Sequence, residues 1–185
     1  MKKIKIVCLG GSMEDRSSTL ALMKYSADRL KELGADVYMA DVKTLNLPIF
    51  SYKALKGAKS EKFKTLIKNV KGADGFIFAS PEYHGTVSSA FKNAIDFLFA
   101  EWNNKAAGFV GYGSAGGARA VEHLRLVMAE VQVATVRNQV ALSLFSDFEN
   151  YTTFKPDPRH EKSVGNMLDQ LLAWSGALQT LRSGK

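Results

Sequence analysis

Short apolar runs alternate with stretches of helical period along the chain. Residues 4–9, rich in Ile, Val and Leu, predict a buried strand, and Leu20, Met23, Ala27 and Leu30 recur at helical spacing until Gly34 stops them. The same reading puts strands at 37–40, 75–80, 106–112 and 131–136. Helices are expected where Ser60 caps a lysine-rich segment holding Phe63, Leu66, Ile67 and Val70, and at 87–100, 118–130 and 163–181. Residues 41–60, with Pro48 and Gly57, have neither period and predict an irregular connection. Strands separated by helices require crossover connections, which favour a parallel sheet covered on both faces. The expected fold is therefore α/β, a doubly wound five-stranded parallel sheet with helices on both faces.

Composition narrows the class without naming a function. The 185 residues suit one domain spanning 1–185, and 46% apolar with 23% charged residues excludes bulk disorder. The net charge of +7 permits attraction to phosphate or to acidic partners. A lone cysteine, Cys8, excludes an internal disulfide and every multi-cysteine metal site, and suits a reducing, cytoplasmic setting. No apolar run is long enough to span a membrane, so no membrane partner is expected. Seven lysines between 53 and 71 accompany only Glu61; a solvated face explains most of them, with an acidic protein or a nucleotide phosphate as other occupants. Few aromatics interleave with these lysines, which argues against nucleic acid.

In a doubly wound sheet, chemistry gathers in loops at the carboxyl ends of the strands. The first such loop, Gly10 to Thr19, supplies Ser12, Ser17, Ser18, Thr19 and Arg16 at a helix start, a donor set for an anion such as phosphate. It lacks the Gly-Lys-Ser/Thr of a nucleotide triphosphate loop. The second, Ser80-Pro81-Glu82-Tyr83-His84-Gly85-Thr86, combines a rigid proline, an aromatic and a glycine, and can offer backbone amides to the edge of a heterocycle. His84 is an exposed loop histidine, a group close to a ligand or a catalytic acid/base. The third loop, Gly111 to Gly117, matches G-x-G-x-x-G. It follows the fourth strand instead of the first and lacks an acid at the end of the next, so its glycines are taken as room for a ligand instead of a dinucleotide fingerprint. Cys8 inside an apolar strand is a small buried hydrophobe.

Taken together, the loops resemble the NADPH-dependent FMN reductase family of flavodoxin-like proteins, which implies a flavodoxin-like sheet. The residues that carry the resemblance are Gly11-Ser12 with Ser17 and Thr19, Pro81 to Thr86 followed by Lys92-Asn93-Ala94-Ile95-Asp96, and Gly111-Tyr112-Gly113 with Gly116 to Ala120. The resemblance implies an NAD(P)H oxidoreductase that passes a hydride from NADPH or NADH through bound FMN to a quinone, free flavin, azo dye or metal oxyanion, with no catalytic side chain. It implies that Ser12, Ser17 and Thr19 hold the phosphate; Ser18 of the same donor set is expected among the cofactor-binding residues. Pro81, Glu82, Tyr83, His84, Gly85 and Thr86 would line the ring, and Gly113, Ser114 and Gly116 would border it opposite. Family members often carry Arg where this chain has Glu14, which makes Arg16 the candidate substitute, and often Asn where it has His84. An FMN-binding electron carrier or regulatory protein is the alternative, although carriers that dock on basic partners are typically acidic.

Three further expectations follow. Val87, Ala90, Phe91, Ala94, Ile95, Phe97, Leu98 and Phe99 would cover roughly 200° of the third long helix, more than a sheet hides, which with the resemblance implies a homodimer or homotetramer. The aromatic-rich stretch 141–160 is expected to form a mobile or partner-contacting flap near the flavin. A single approach to the ring implies ping-pong kinetics.

Overall fold

The computed structural model describes residues 3–14, 18–58 and 60–183. Five parallel strands form the main sheet: β1 (Lys5–Gly10), β2 (Asp36–Asp41), β3 (Gly75–Pro81), β4 (Lys105–Gly113) and β5 (Val133–Ser143), in the order β2-β1-β3-β4-β5. This is the doubly wound order expected from the alternating pattern, with the order reversing beside β1. Every residue of β3 and β4 is buried, because helices cover both faces of these central strands. One core holds Phe76, Phe78, Phe91, Trp102 and Phe109; the other holds Ile6, Ile77, Met167 and Leu171.

The helices are α1 (Ser18–Glu32), α2 (Val42–Leu45), α3 (Tyr52–Gly57), α4 (Glu61–Gly72), α5 (Ser89–Asp96), α6 (Ala118–Glu130), α7 (His160–Ala177) and α8 (Gln179–Arg182). The connection 41–60 is thus partly helical: Asp41 and Ser51 each accept a backbone N–H and start a short helix that hydrophobic period was too brief to signal. The lysines of α4 lie on its exposed side, as expected of a solvated face.

Helix α5 ends at Asp96 instead of near residue 100. Beyond it the chain folds back, and the buried Trp102 donates its indole N–H to Ile95 O at 3.2 Å, satisfying a terminal carbonyl of the helix. Phe97 then packs edge-on against Phe50 and Phe63, each at 5.4 Å between centroids. Most of the apolar surface assigned to an interface is therefore covered within the chain, and only Phe99 of that group is exposed.

Strand β5 runs well past residue 136. Between Ala107 and Phe109 the register with β5 shifts from Thr135 to Gln139, and Arg125 donates to Val136 O and Arg137 O at the irregularity. Polar residues at this bulge interrupt the apolar run, which hides the second half of the strand from periodicity.

After β5, β6 (Phe148–Glu149) and β7 (Thr153–Phe154) make a small hairpin. The expected flap is therefore a built element. Phe148 is buried against Tyr112, while Phe145 and Tyr151 stay exposed. Asp147, wholly buried, anchors it by accepting from Ser143 N at 2.8 Å, Asp157 N at 3.1 Å and the Ser146 hydroxyl at 3.1 Å, and it pairs with His160 Nε2 at 2.8 Å. Burial alone would raise the Asp147 pKa; these hydrogen bonds and His160 outweigh it and hold the carboxyl below its ordinary value.

Candidate functional site

The carboxyl ends of β1, β3 and β4 lie side by side in the sheet, so the three loops picked out by sequence meet along one edge. Gly11 N donates to Ala79 O at 2.9 Å, and the Ser88 hydroxyl, which also caps α5, donates to Gly11 O. Loop one is thereby tied to β3 and α5. Ser88 escaped the sequence reading as a site residue, although its spacing before Phe91 is that of a cap.

At loop one, Ser12 is 1% exposed and its Oγ accepts from Glu14 N at 3.2 Å, which leaves the Ser12 O–H proton to donate. Ser18 opens α1, and its hydroxyl donates to Thr152 O of the hairpin at 3.2 Å. Thr19 is buried and its Oγ1 lies 2.8 Å from the Tyr112 hydroxyl, so it braces the floor between α1 and β4. Arg16 and Ser17 lie outside the described residues. The first turn of α1 holds no acidic residue, in keeping with an anion at its positive end.

Loop two turns on its backbone. Tyr83 N donates to Thr86 O at 2.9 Å and Thr86 N to Tyr83 O at 3.0 Å, while His84 and Gly85 have φ of 50° and 78°. Both central residues are left-handed, as in a type I′ turn, where His is tolerated better than most side chains and Gly best. Tyr83 and His84 are exposed at the tip, and Pro81 is buried at the base. Thr86 Oγ1 sits 2.9 Å from His123 Nδ1 of α6, a neighbour that sequence spacing did not reveal.

Glu82 differs from the other residues expected to line a ring. Its Oε1 accepts from Arg119 Nε at 2.7 Å and its Oε2 from Arg119 N at 3.0 Å, so it caps α6, whose own first residue brings no capping side chain. Burial alone would raise the Glu82 pKa, but the hydrogen bonds and charge of Arg119, with the Ala120 N–H, hold it below the ordinary value. The Glu82 carboxylate is thus engaged on the protein and locks loop two to loop three.

Loop three needs its glycines. A Cβ on Gly117, where φ is 69°, would lie 2.5 Å from Tyr112 N, and one on Gly113 would come within 3.1 Å of Glu82 Cβ. Gly116 is also left-handed, and Ser114 projects into solvent. Cys8 is fully buried under the sheet, where desolvation pushes its thiol up to about 12, consistent with an inert core residue. Among the described residues, no group of three His, Cys, Asp or Glu could hold a metal ion.

This donor set fits FMN. A helix whose first turn holds no acidic residue lies at one end, and backbone amides with glycines close enough to exclude a Cβ lie at the other. The one carboxylate between loops two and three is neutralised by Arg119.

The sequence profile of the NADPH-dependent FMN reductase family matches residues 4–147. An NAD(P)H-dependent FMN reductase of Schizosaccharomyces pombe (strain 972) is 36% identical over 107 residues, 58% of this chain and 54% of that protein, so the match spans about half the relative's length. An NADPH azoreductase from Bacillus sp. (strain OY1-2) is 32% identical over 146 residues, 75% of this chain and 76% of that one. The structure of the flavoenzyme NAD(P)H:(acceptor) oxidoreductase FerB from Paracoccus denitrificans superposes with a TM-score of 0.75 at 19% identity, covering 94% of this chain and 98% of that one, a likeness of fold. The profile takes in all three loops and the strands that carry them, and the chain belongs to the NADPH-dependent FMN reductase family.

Proposed function

We propose that this protein is a cytoplasmic oxidoreductase that uses FMN to carry a hydride from NAD(P)H to a small planar acceptor of the quinone, flavin or azo type. The observation that carries the reading is the convergence of an anion-binding helix N-terminus with two backbone-lined loops on one sheet edge. Bound FMN would supply the redox chemistry, taking two electrons and a proton as hydride from the nicotinamide and releasing two electrons to the acceptor.

The residues of the chain bind and orient. Ser12, Ser18 and Thr19 form the phosphate end, and Ser17 and Arg16 of the same loop are proposed to contribute to it. Backbone groups of Pro81 to Thr86 and the bend at Gly113, Ser114 and Gly116 form the ring seat, which the Glu82–Arg119 pair keeps rigid. Amides directed at the ring edge favour the negative charge that develops there on reduction.

With one open face, donor and acceptor must alternate. Steady-state rates with NADPH and 1,4-naphthoquinone are expected to give parallel double-reciprocal lines; intersecting lines would require a second binding site and overturn the alternating scheme.

The protein is further proposed to work as a homodimer. Exposed Met13 of loop one and Ile49 line an open groove with Ser89, Ala90 and Asn93 of α5. Light scattering at micromolar concentration should report twice the chain mass, and a monomer there would contradict it.

A further inference from the structure

The hairpin between β5 and α7 carries a conformational oddity. Asn150 and Tyr151, the two residues between β6 and the strand-ward Thr152, have φ of 51° and 60°, and Thr152 N donates to Glu149 O at 3.1 Å. This is the left-handed pair of a tight hairpin, where Asn is common at the first position and Gly at the second. Tyrosine at the second position is disfavoured, because its Cβ crowds the backbone. Strain of this kind persists where the side chain has another use.

The Tyr151 ring does not repay the strain by entering the core. It is 63% exposed and meets Phe145, itself 69% exposed, edge-on at 6.0 Å between centroids. Both ends of this pair are fixed to the candidate site. Leu144 N, beside Phe145, donates to Gly113 O at 3.1 Å, and the carbonyl of Thr152, beside Tyr151, accepts from Ser18. The aromatic pair therefore stands between the ring-side loop and the phosphate-side helix, held there by the Asp147 anchor.

We infer that Phe145 and Tyr151 form an aromatic wall at the mouth of the site that stacks the planar ring of the electron acceptor and so sets acceptor preference. This inference rests on the proposed flavin reaction and adds the residues that choose its substrate. Two exposed rings on a fixed hairpin offer a flat acceptor dispersion and quadrupole contact, which a compact, non-planar oxidant cannot use.

The test uses the FMN-loaded protein, reduced with NADPH and reoxidised in a stopped-flow instrument by 1,4-naphthoquinone or by ferricyanide. In Tyr151→Gly the ratio of naphthoquinone to ferricyanide efficiency is expected to fall about three- to tenfold, the range of one aromatic contact. Tyr151→Phe should restore the ratio, and Phe145→Ala should lower it. Because glycine relieves the turn, the thermal midpoint of Tyr151→Gly should hold or rise; a merely structural tyrosine would lower it. An unchanged ratio overturns the inference, as does an effect confined to the NADPH step, which would assign the wall to the donor. If NADPH fails to bleach the parent protein, the flavin reading itself fails and the wall with it.

Discussion

Asp147→Ala is expected to lose about 3–5 kcal/mol of stability, the cost of removing one member of a buried, hydrogen-bonded ionic cluster. With the carboxylate gone, Ser143 N, Asp157 N and His160 Nε2 lose an acceptor at once. Each buried donor left without a partner costs about 1–3 kcal/mol, and a domain of this kind holds only about 5–15 kcal/mol in total. The hairpin and the start of α7 should loosen first, since the lost bonds join them to the end of β5. Urea denaturation reads the global loss, and hydrogen exchange at residues 143–160 reads where it begins; a midpoint equal to the parent's would refute the anchor. The same group sets an acid limit. Its folded pKa is lowered, so its contribution is fully present above the unfolded value, about 3.9, and is lost as pH falls below that through the folded value. Asp147→Asn should remove this part of the acid sensitivity.

Ser12→Ala is expected to weaken FMN about ten- to a hundredfold, equivalent to one charge-assisted hydrogen bond of about 1.5–3 kcal/mol. Ser12 gives the clearest test because the other described hydroxyls have partners in the protein: Ser18 on Thr152 O and Thr19 against Tyr112. Removing Thr19 would also disturb the floor of the site. Riboflavin lacks the phosphate, so its affinity should change much less than that of FMN, and this difference separates a lost phosphate contact from a distorted loop. Fluorescence titration of both flavins supplies the measurement. Equal weakening of the two would mean loop distortion, and unchanged FMN binding would put the phosphate elsewhere. Arg16→Ala in the same titration shows whether a guanidinium assists.

The doubly wound fold class and the three loops were legible because their signals are local. An apolar run followed by Gly, Ser or Pro marks a strand end, and sheet topology then brings such ends together. What was not legible depends on residues far apart in the chain. Glu82 looked like one more residue lining a ring, and only its meeting with Arg119 across two loops gives it the work of a helix cap. Thr19, expected at the phosphate, also has the Tyr112 hydroxyl 2.8 Å from its Oγ1, a contact between α1 and β4 that spacing along the chain does not signal. The length of β5 was hidden by a bulge, and the end of α5 by Trp102, an aromatic with no period of its own. The oligomer argument treated apolar width on α5 as surplus, whereas Phe50 and Phe63 consume much of it within the chain.

The turn at Tyr83 to Thr86 has a consequence for how such sites diverge. Its shape is fixed by two backbone hydrogen bonds and two left-handed residues. Position 84 accepts whatever tolerates a φ of 50°, a short list on which Asn, Asp and His stand together. Descent can therefore exchange an amide for an imidazole there without moving the ring seat. An amide cannot take up a proton and an imidazole can. The side chain at the tip of this turn can thus change its chemistry while the backbone beneath it keeps its shape.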